Sequence, residues 1–445
     1  MAPALSEAPP VGRNRVGSLP YRIFDADNHF NEPPYCFERY IDPSKRDLAI
    51  RYVTDEHGRE VQLFAGRPSK FSLEQITFSR DELEKMLGDV PASRTDPEPT
   101  EQGVVPGMLL NRLNPLKGLT DDDRKAMVAE LRHQFEACGS RDLRLALMDE
   151  QGIQAALMFP AKAHDIEYEF ADNVDAIYAN IRAFNRWMYE EVGFAVDNRM
   201  FLPPYLPLAD PELALAELEI LIEQGAPVIQ IKAGHAHGGR DNPWGGRSPA
   251  DPVFDAIWSR FNEAGVQLAV HQGGTDYQKY GADWSEDPEE TLGQFDAFQY
   301  VMYWSDRPAM ELVAALILHS FFERFPNIRV VFAEQGSVWV PYIVRKIDHA
   351  YLLGRKAKWG TLSARPSEIF RKHFLVAPYP EENVQRVVSA VGTDPIVFGS
   401  DFPHGEGLAF PAQYADAQLG GMSDADVKKI MRDNLAGYLR LAVSS

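Results

Sequence analysis

The stretch 23–29, with the sequence IFDADNH, begins as an apolar strand and ends in Asp and His side chains. Three other stretches have the same form: 266–271 (VQLAVH), 328–334 (IRVVFAE) and 396–401 (IVFGSD). Each is typical of a buried strand that ends in a potential metal ligand. A barrel with a metal ion at its mouth requires such strands, because the functional residues of parallel barrels lie at the carboxyl ends of the strands.

Apolar runs rich in β-branched residues alternate with helical patterns along the whole chain. We expect strands at 21–29, 153–159, 200–206, 227–233, 266–272, 328–334, 373–377 and 396–401. Eight alternations predict an α/β fold, a (β/α)8 TIM barrel. The apolar residues of 213–221, 254–261 and 312–317 recur at helical spacing, which predicts helices packed on the barrel wall.

A large insertion is predicted after the first strand, since about 120 residues separate His29 from Ile153. We therefore divide the chain into an N-terminal tail, 1–20, and a barrel domain, 21–445, in which 30–140 is the insertion. The segments 51–53 and 61–64 have a hairpin-like pattern. Leaving the carboxyl end of a strand, the insertion should lie over the mouth as a lid, with an oligomer arm as the alternative.

The composition excludes several classes of partner. The formal charge is −20, from 65 acidic and 45 basic residues with no dense Lys/Arg block, which argues against nucleic acid and anionic membranes. Two cysteines provide neither a disulfide framework nor a thiolate metal cluster, so N and O atoms must hold any metal ion. We find neither a secretory signal nor a run of roughly 18 apolar residues, and we expect a soluble cytoplasmic protein.

The first strand places Asp25, Asp27 and His29 on one face, because side chains alternate along a strand. Asp27 and His29 would lie together at the top of the barrel, with Asp25 one layer deeper, where it could orient a ligand. The alternative is a simple turn at 25–28.

His271 and Asp401 end two further strands. His271 precedes a Gly-rich loop, and its alternative role is that of a core histidine bonded to a carbonyl group. A carboxylate at position 401 must be paired, hydrogen-bonded or coordinated, because burying it without a partner costs several kcal/mol.

These residues resemble the amidohydrolase superfamily, in the branch that includes aminocarboxymuconate-semialdehyde decarboxylase and γ-resorcylate decarboxylase. The resemblance extends from Ile23 to about Leu439 and includes the phrases 144–153 (RLALMDEQGI), 325–331 (FPNIRVV) and 398–404 (FGSDFPH). It implies one divalent ion held by a pair of ligands on strand one, a His on strand five and an Asp on strand eight. In this chain these positions are Asp27, His29, His271 and Asp401.

Two positions depart from the familiar members of the superfamily. Asp27 replaces the first His of a His-x-His pair, which favours harder ions such as Mn without excluding Zn. We therefore expect one divalent metal ion, Zn or Mn. Glu334 stands where many members have a catalytic His, and it could be a further ligand, a general base or the partner of a nearby cation.

Substrate contacts are predicted at Lys232, His237 and His404. Gln230 and Lys232 alternate with apolar residues, so that a polar face of this strand points into the barrel. His237 lies on the loop that follows, and His404 comes three residues after Asp401.

These residues predict a metal-dependent hydrolase that uses a metal-activated water on a small amide, ester or activated C–C substrate, with Asp401 and Glu334 as catalytic groups. The alternative is a nonoxidative, metal-dependent decarboxylase of an aromatic or unsaturated carboxylic acid. A noncatalytic barrel with a structural metal is disfavoured, because structural sites are usually closed. The expected partner is a small molecule, aromatic or carboxylate-bearing, and the resemblance implies a homodimer or a higher homo-oligomer.

Overall fold

The computed structural model describes residues 19–54, 60–68, 105–160, 163–236, 242–273, 306–354 and 356–442. The strands within them are β1 (Ile23–Phe30), β2 (Ile50–Thr54), β3 (Glu60–Phe64), β4 (Arg67–Pro68), β5 (Ile153–Pro160), β6 (Ala195–Val196), β7 (Met200–Phe201), β8 (Val228–Lys232), β9 (Gln267–His271), β10 (Val330–Ala333) and β11 (Phe374–Val376). The α-helices are α1 (Asp121–Ala137), α2 (Arg141–Gln151), α3 (Ile166–Glu169), α4 (Val174–Trp187), α5 (Pro211–Glu223), α6 (Asp255–Ala264), α7 (Asp306–Leu318), α8 (Phe321–Arg324), α9 (Val340–Leu352), α10 (Pro366–His373), α11 (Val384–Val391), α12 (Tyr414–Gln418), α13 (Asp424–Lys428) and α14 (Asn434–Tyr438).

Two four-stranded sheets form the centre of the fold, and their strand orders are β1-β5-β7-β6 and β11-β10-β9-β8. All their pairings are parallel except that of β6 with β7. A separate antiparallel sheet, β2-β3-β4, confirms the predicted hairpin, whose turn lies outside the described residues. The protein therefore has a mixed α/β architecture with a mostly parallel centre.

Hydrogen bonds link the two central sheets at both ends. At one end Gln230 of β8 receives the N–H of Leu206 and donates its own to Pro204, both at 2.8 Å. At the other end Val397 donates to Val376 at 3.0 Å, and Ala26 of β1 donates to Phe398 at 2.8 Å. The segment 204–206 thus bonds to β8, at the edge of the second sheet, and the segment 395–398 lies between β11 and β1.

Two of the predicted strands are less regular than the sequence indicated. The segment 200–206 contains only β7 and an isolated bridge at Tyr205, and 396–401 contains a bridge at Ile396 and no regular strand. The eighth segment ends at Asp401, whose backbone is left-handed, with φ of 54°, and lies outside the β region. The other six predicted segments contain strands close to the expected bounds.

Most residues of the predicted helical stripes pack into the core, whereas Ile220 of α5 is exposed. Ile257, Trp258 and Phe261 of α6 are fully buried, as are Leu312 and Leu316 of α7 to within 1%. α5 begins where the Asp210 side chain accepts the N–H groups of Glu212 and Leu213, and α6 ends at the left-handed Gly265. Among the described residues, no helix combines the length and the apolar character needed to cross a membrane.

Gly399 sits where three segments meet beneath the end of β1. A Cβ atom at this position would lie 2.6 Å from Cβ of Asp27 and 3.0 Å from Cβ of Ala377. We predict that Gly399→Ala lowers the free energy of unfolding by about 1–3 kcal/mol, because the added methyl group overpacks the contact. Urea unfolding measures this change. Gly139→Ala is the control, since its nearest contact would be an ordinary 3.6 Å, and an equal loss in both variants would contradict the prediction.

Candidate metal centre

Six side chains converge at the carboxyl ends of the central parallel strands. They are Asp27 and His29 from β1, His271 at the end of β9, Glu334 directly after β10, and Asp401 and His404 from the segment that follows Phe398. Two overlapping groups of four have all their ligand atoms within 4.8 Å of one another: Asp27, His29, His271 and Glu334, and His29, Glu334, Asp401 and His404. His29 and Glu334 belong to both groups.

The distances within this cluster fit a single ion. Nε2 of His29 lies 3.0 Å from Oδ1 of Asp401, 3.6 Å from Oε2 of Glu334 and 3.8 Å from Oδ1 of Asp27. Nε2 of His271 lies 3.1 Å from Oε2 of Glu334 and 3.6 Å from Oδ1 of Asp27. Ligands placed ~2.0–2.2 Å from a common ion are separated by roughly 3.0–3.5 Å, so the observed spacing is close to that of a coordination shell.

Hydrogen bonds to carbonyl groups set the tautomers of the two buried histidines. Nδ1 of His29 lies 3.1 Å from the carbonyl oxygen of Phe159, and Nδ1 of His271 lies 2.8 Å from that of Gln272. A carbonyl group can only accept, so each Nδ1 carries a hydrogen atom and each Nε2 is the nitrogen that faces the cluster. This is the orientation in which a histidine binds a metal ion.

Asp27 organises the backbone of the other acidic residues. Its Oδ2 accepts the N–H of Glu334 at 2.8 Å, and its carbonyl oxygen accepts the N–H groups of Ser400 at 3.1 Å and Asp401 at 2.7 Å. Glu334 and Asp401 both have positive φ, 49° and 54°, which is unfavourable for a residue with a side chain. Oδ1 of Asp27 has no hydrogen-bond partner and faces the cluster.

Glu334 is held from three sides. Beside the bond from its N–H to Asp27, its carbonyl oxygen accepts the hydroxyl of Tyr379 at 3.1 Å. With its amide nitrogen turned towards the carboxylate, Gln272 donates to Oε1 of Glu334 at 2.7 Å. Oε2 therefore points to the cluster, where it lacks a hydrogen-bond partner.

Buried atoms without partners test whether a metal ion fits. Oδ1 of Asp27 and Oδ2 of Asp401 have no hydrogen-bond partner, while Nε2 of His271 and Nδ1 of His404 only approach other members of the cluster, Oε2 of Glu334 at 3.1 Å and Oδ1 of Asp401 at 2.7 Å. A buried polar atom that stays unsatisfied costs about 1–3 kcal/mol, and a divalent ion would satisfy the atoms of the cluster together. Three carboxylates and three imidazoles form a mixed O and N donor set, which suits Mn or Zn. The residues present therefore fit a divalent metal ion.

In the absence of an ion, the charges of the cluster favour protonation of several of its side chains. Burial opposes protonation of His271 and His404, but the neighbouring carboxylates outweigh it and raise the pKa of each imidazole to about 10. Burial and the charge of Asp401 raise the pKa of Glu334 to about 7. Burial, His404 and His271 hold the pKa of His29 well below its usual value. A metal ion must therefore displace protons when it binds.

The remaining predicted residues differ in how close they lie to the cluster. Lys232 ends β8 as the register partner of His271, and it is largely buried. Nδ1 of His404 lies 2.7 Å from Oδ1 of Asp401 and its ring stacks on His29, so this residue is within reach of the ion as well as of a substrate. His237 lies outside the described residues. Asp25 lies deeper, as predicted, and burial raises its pKa to about 6 although four hydrogen bonds oppose this.

His164 is a site residue that the sequence reasoning missed. Its ring centroid lies 4.5 Å from that of His271, and its Nε2 is buried without a hydrogen-bond partner. Gly273 permits this approach, because a Cβ there would come within 3.0 Å of Cβ of His164. A weak signal was present, since His164 follows the second predicted strand, although five residues beyond its end, whereas His271 and Asp401 end theirs.

We predict that the metal affinity of the protein rises with pH. A proton and a metal ion compete for the same lone pairs on His271 and Glu334, and lowering the pH favours the proton. Between pH 6 and 8 the logarithm of the Mn²⁺ association constant should increase by about 1–2 per pH unit, with matching proton release. Calorimetric titration in buffers of different ionisation enthalpy measures both quantities. His133→Gln, at an exposed position, should keep this slope, and a flat profile for the wild type would contradict the prediction.

The chain is similar to known proteins over most of its length. Residues 114–436 match the sequence profile of the amidohydrolase family. The chain is 24% identical over 241 residues to a 2-amino-3-carboxymuconate-6-semialdehyde decarboxylase of Dictyostelium discoideum, covering 53% of this chain and 60% of that protein. It is also 24% identical over 321 residues to a gamma-resorcylate decarboxylase of a Polaromonas species, covering 68% of this chain and 87% of the relative.

Solved structures extend the similarity to the fold. A crystal structure of an amidohydrolase from Mycobacterium avium subsp. paratuberculosis has a TM-score of 0.75 at 28% identity, and the match covers 95% of this chain and all of that one. A dihydroxybenzoic acid decarboxylase from Polaromonas, solved with manganese and the inhibitor 2-nitroresorcinol, has a TM-score of 0.52 at 20% identity over 72% of this chain and 90% of its own. These neighbours imply a TIM-barrel fold. The match to the family profile over most of the chain shows that this protein belongs to the amidohydrolase family.

Proposed function

We propose that this protein is a metal-dependent decarboxylase that removes carbon dioxide, without oxidation, from an aromatic or unsaturated carboxylic acid. The observation that carries the proposal is the cluster of buried, unpartnered ligand atoms on Asp27, His271, Glu334 and Asp401. The curated relatives described above are decarboxylases, which favours this reaction over the hydrolysis that the sequence alone predicted first.

We further propose that the central strands close into a (β/α)8 barrel with the cluster at its mouth. The hydrogen bonds at both ends of the two sheets support this closure. In this arrangement 21–445 is the barrel domain, 1–20 is a tail and 30–140 is an insertion near the mouth. The cytoplasmic location and the homo-oligomer stay predictions, and light scattering of the purified protein tests the latter.

One divalent ion, Mn or Zn, would be held by Asp27, His29, His271 and Asp401. When bound, it supplies positive charge and Lewis acidity to the carboxylate of the substrate and to a neighbouring oxygen. The side chains around it would orient the substrate. Lys232, the register neighbour of His271, can neutralise a carboxylate, and His404 can donate a hydrogen bond to it.

The reaction needs one proton and no oxidant. The bond between the carboxylate carbon and the adjacent ring or alkene carbon breaks, carbon dioxide leaves, and the electron pair that remains takes up a proton. Glu334 and Asp401 are the two carboxyl groups that can deliver this proton. Oε2 of Glu334 is aimed at the cluster by the bonds that Gln272 and Asp27 make to the same residue.

Hydrolysis is the second candidate, and Glu334 is the observation that favours it. Its Oε2 faces the cluster and lies 3.1 Å from Nε2 of His271, where a carboxylate can act as a general base for a water molecule. The crystallised mycobacterial relative with 28% identity is described as an amidohydrolase. Both reactions use the same ion and the same acidic residues, so only the products separate them.

We predict that the Mn²⁺-loaded protein releases carbon dioxide from members of a panel of aromatic and unsaturated carboxylic acids. The same panel, extended with esters and amides, is assayed for water-dependent cleavage. Asp401→Asn and Glu334→Gln should each lower kcat by about 100-fold or more, the usual loss when a proton-transfer group is removed. Glu381→Gln, an exposed Glu whose side chain accepts the N–H of Arg112, is the matched control and should keep kcat unchanged.

The metal content of the Glu334→Gln protein separates the roles of this residue. Loss of the ion identifies a ligand, whereas a retained ion with lost turnover identifies a proton-transfer group. If the products have incorporated water and no acid releases carbon dioxide, the reaction is hydrolysis and the proposed decarboxylation is wrong. Absence of stoichiometric metal, together with unchanged activity of Asp401→Asn, would exclude both reactions.

A further inference from the structure

A fully buried arginine lies next to the segments that carry the candidate metal ligands. Arg144 of α2 has no solvent-accessible surface, although it belongs to a residue type that is rarely buried without a partner. Its guanidinium stacks on the ring of Phe402, 4.8 Å away, and its Nη1 donates to Oε1 of Gln151 at 3.3 Å. Phe402 directly follows Asp401, so Arg144 touches the segment that carries this acidic residue.

Asn28 connects this arginine to the first strand. Its side-chain oxygen accepts Nη2 of Arg144 at 2.5 Å and the N–H of His29 at 2.9 Å. Its amide nitrogen donates to Oδ2 of Asp25 at 2.9 Å and to Oγ of Ser400 at 3.3 Å. The oxygen and the nitrogen of this amide are therefore both hydrogen-bonded. The cation on one side and the carboxylate on the other determine which way the amide faces.

Asp25 and Ser400 extend these hydrogen bonds from β1 to the eighth segment. Ser400 donates its N–H to Oδ1 of Asp25 at 2.9 Å and its hydroxyl to Oδ2 at 2.6 Å. Oδ1 of Asp25 also accepts the N–H of Asp27 at 3.2 Å. Asp25, Asn28 and Ser400 have no solvent-accessible surface. The pairing of β1 with β5 changes register between Asp25 and Asn28, where this network lies.

We propose that Asn28, Arg144, Asp25 and Ser400 form a positioning network for the metal ligands. The network binds the N–H groups of the two ligand residues of β1, Asp27 and His29, and joins them to the residue before Asp401. It thereby fixes the ligands from the first and the last central segments relative to each other, so that they would be in place when an ion binds. The proposal rests on the metal site of the proposed function.

The alternative is that these residues only stabilise the fold. Breaking a buried network of charges costs stability wherever it lies, so stability alone does not distinguish the two roles. A positioning role also requires that metal affinity and coordination geometry change in protein that remains folded. Residues that orient metal ligands typically contribute 10- to 100-fold to metal affinity.

The experiment exchanges the amide and the carboxylate. Asn28→Asp places two carboxylates face to face, and Asp25→Asn replaces one of the two oxygens that accept from Ser400 and Asn28 with an amide nitrogen, which can only donate. The double variant Asp25→Asn/Asn28→Asp restores one carboxylate, now against Arg144, and one amide that can donate to it. We expect each single variant to bind Mn²⁺ about 10- to 100-fold more weakly, and the double variant to recover most of this loss. The visible absorption spectrum of the Co²⁺-loaded proteins should shift in the single variants and return in the double variant.

Asn180→Asp is the matched control. Asn180 is equally buried and bonds the N–H of Ile50 and the carbonyl groups of Leu48 and Ala176, away from the cluster. This variant should lose stability, measured by thermal unfolding, while Mn²⁺ affinity and the Co²⁺ spectrum stay those of the wild type.

The outcomes separate the inference from the proposed function. A wild-type protein that binds no Mn²⁺ overturns the metal site and the network together. Wild-type affinity and spectrum in folded Asn28→Asp overturn the network alone. If the single variants do not fold, the milder Ser400→Ala, which removes the hydroxyl that donates to Asp25, decides: weaker Mn²⁺ binding with a shifted Co²⁺ spectrum supports positioning, and wild-type values overturn it.

Discussion

The site depends on the hydrogen bonds that Asp27 makes. Some of its oxygen atoms bind backbone N–H groups of the other acidic residues, and one faces the metal-ligand cluster. Its carbonyl oxygen binds the N–H groups of Ser400 and Asp401, and Oδ2 of its carboxylate binds the N–H of Glu334. Two residues with left-handed backbones are thereby held in conformations that a side chain disfavours. Only Oδ1 remains to face the cluster. One aspartate thus joins the first, sixth and eighth central segments and contributes a ligand atom as well.

The charges of the cluster follow from this geometry. Asp27, Glu334 and Asp401 lie close together in a buried region, where like charges repel strongly. Protons on His271 and His404 relieve that repulsion when no ion is bound, which raises the pKa of both imidazoles to about 10. A divalent ion would relieve it better, because it is shared by all the ligands at once. Carbonyl groups at Phe159 and Gln272 already select the tautomers that such an ion needs.

Glu334 distinguishes this chain from the many members of the superfamily that, by the sequence resemblance, have a catalytic histidine at this position. A histidine at this position would be a neutral or cationic proton donor, whereas a glutamate adds negative charge beside the ion. The bonds to Gln272, Tyr379 and Asp27 show that Glu334 is integrated into the scaffold rather than tolerated as a loop residue. Its position between His271 and His404 is compatible with all three functions left open for it by the sequence: metal ligand, general base and partner of a nearby cation.

The sequence by itself determined the strand ends and therefore most of the site. Asp27, His29, His271 and Asp401 could be found because parallel strands have a short periodicity, and their carboxyl ends meet at one edge. Tertiary structure alone decided what lies between these strands. The contact of His164 with His271, and the convergence of Arg144 and Asn28 with Ser400, join residues more than 100 positions apart. Such contacts depend on how helices and loops pack on the sheet, which local periodicity does not encode. The same holds for the left-handed turns at Glu334 and Asp401, because bonds to distant Asp27 stabilise conformations that their own residue types disfavour.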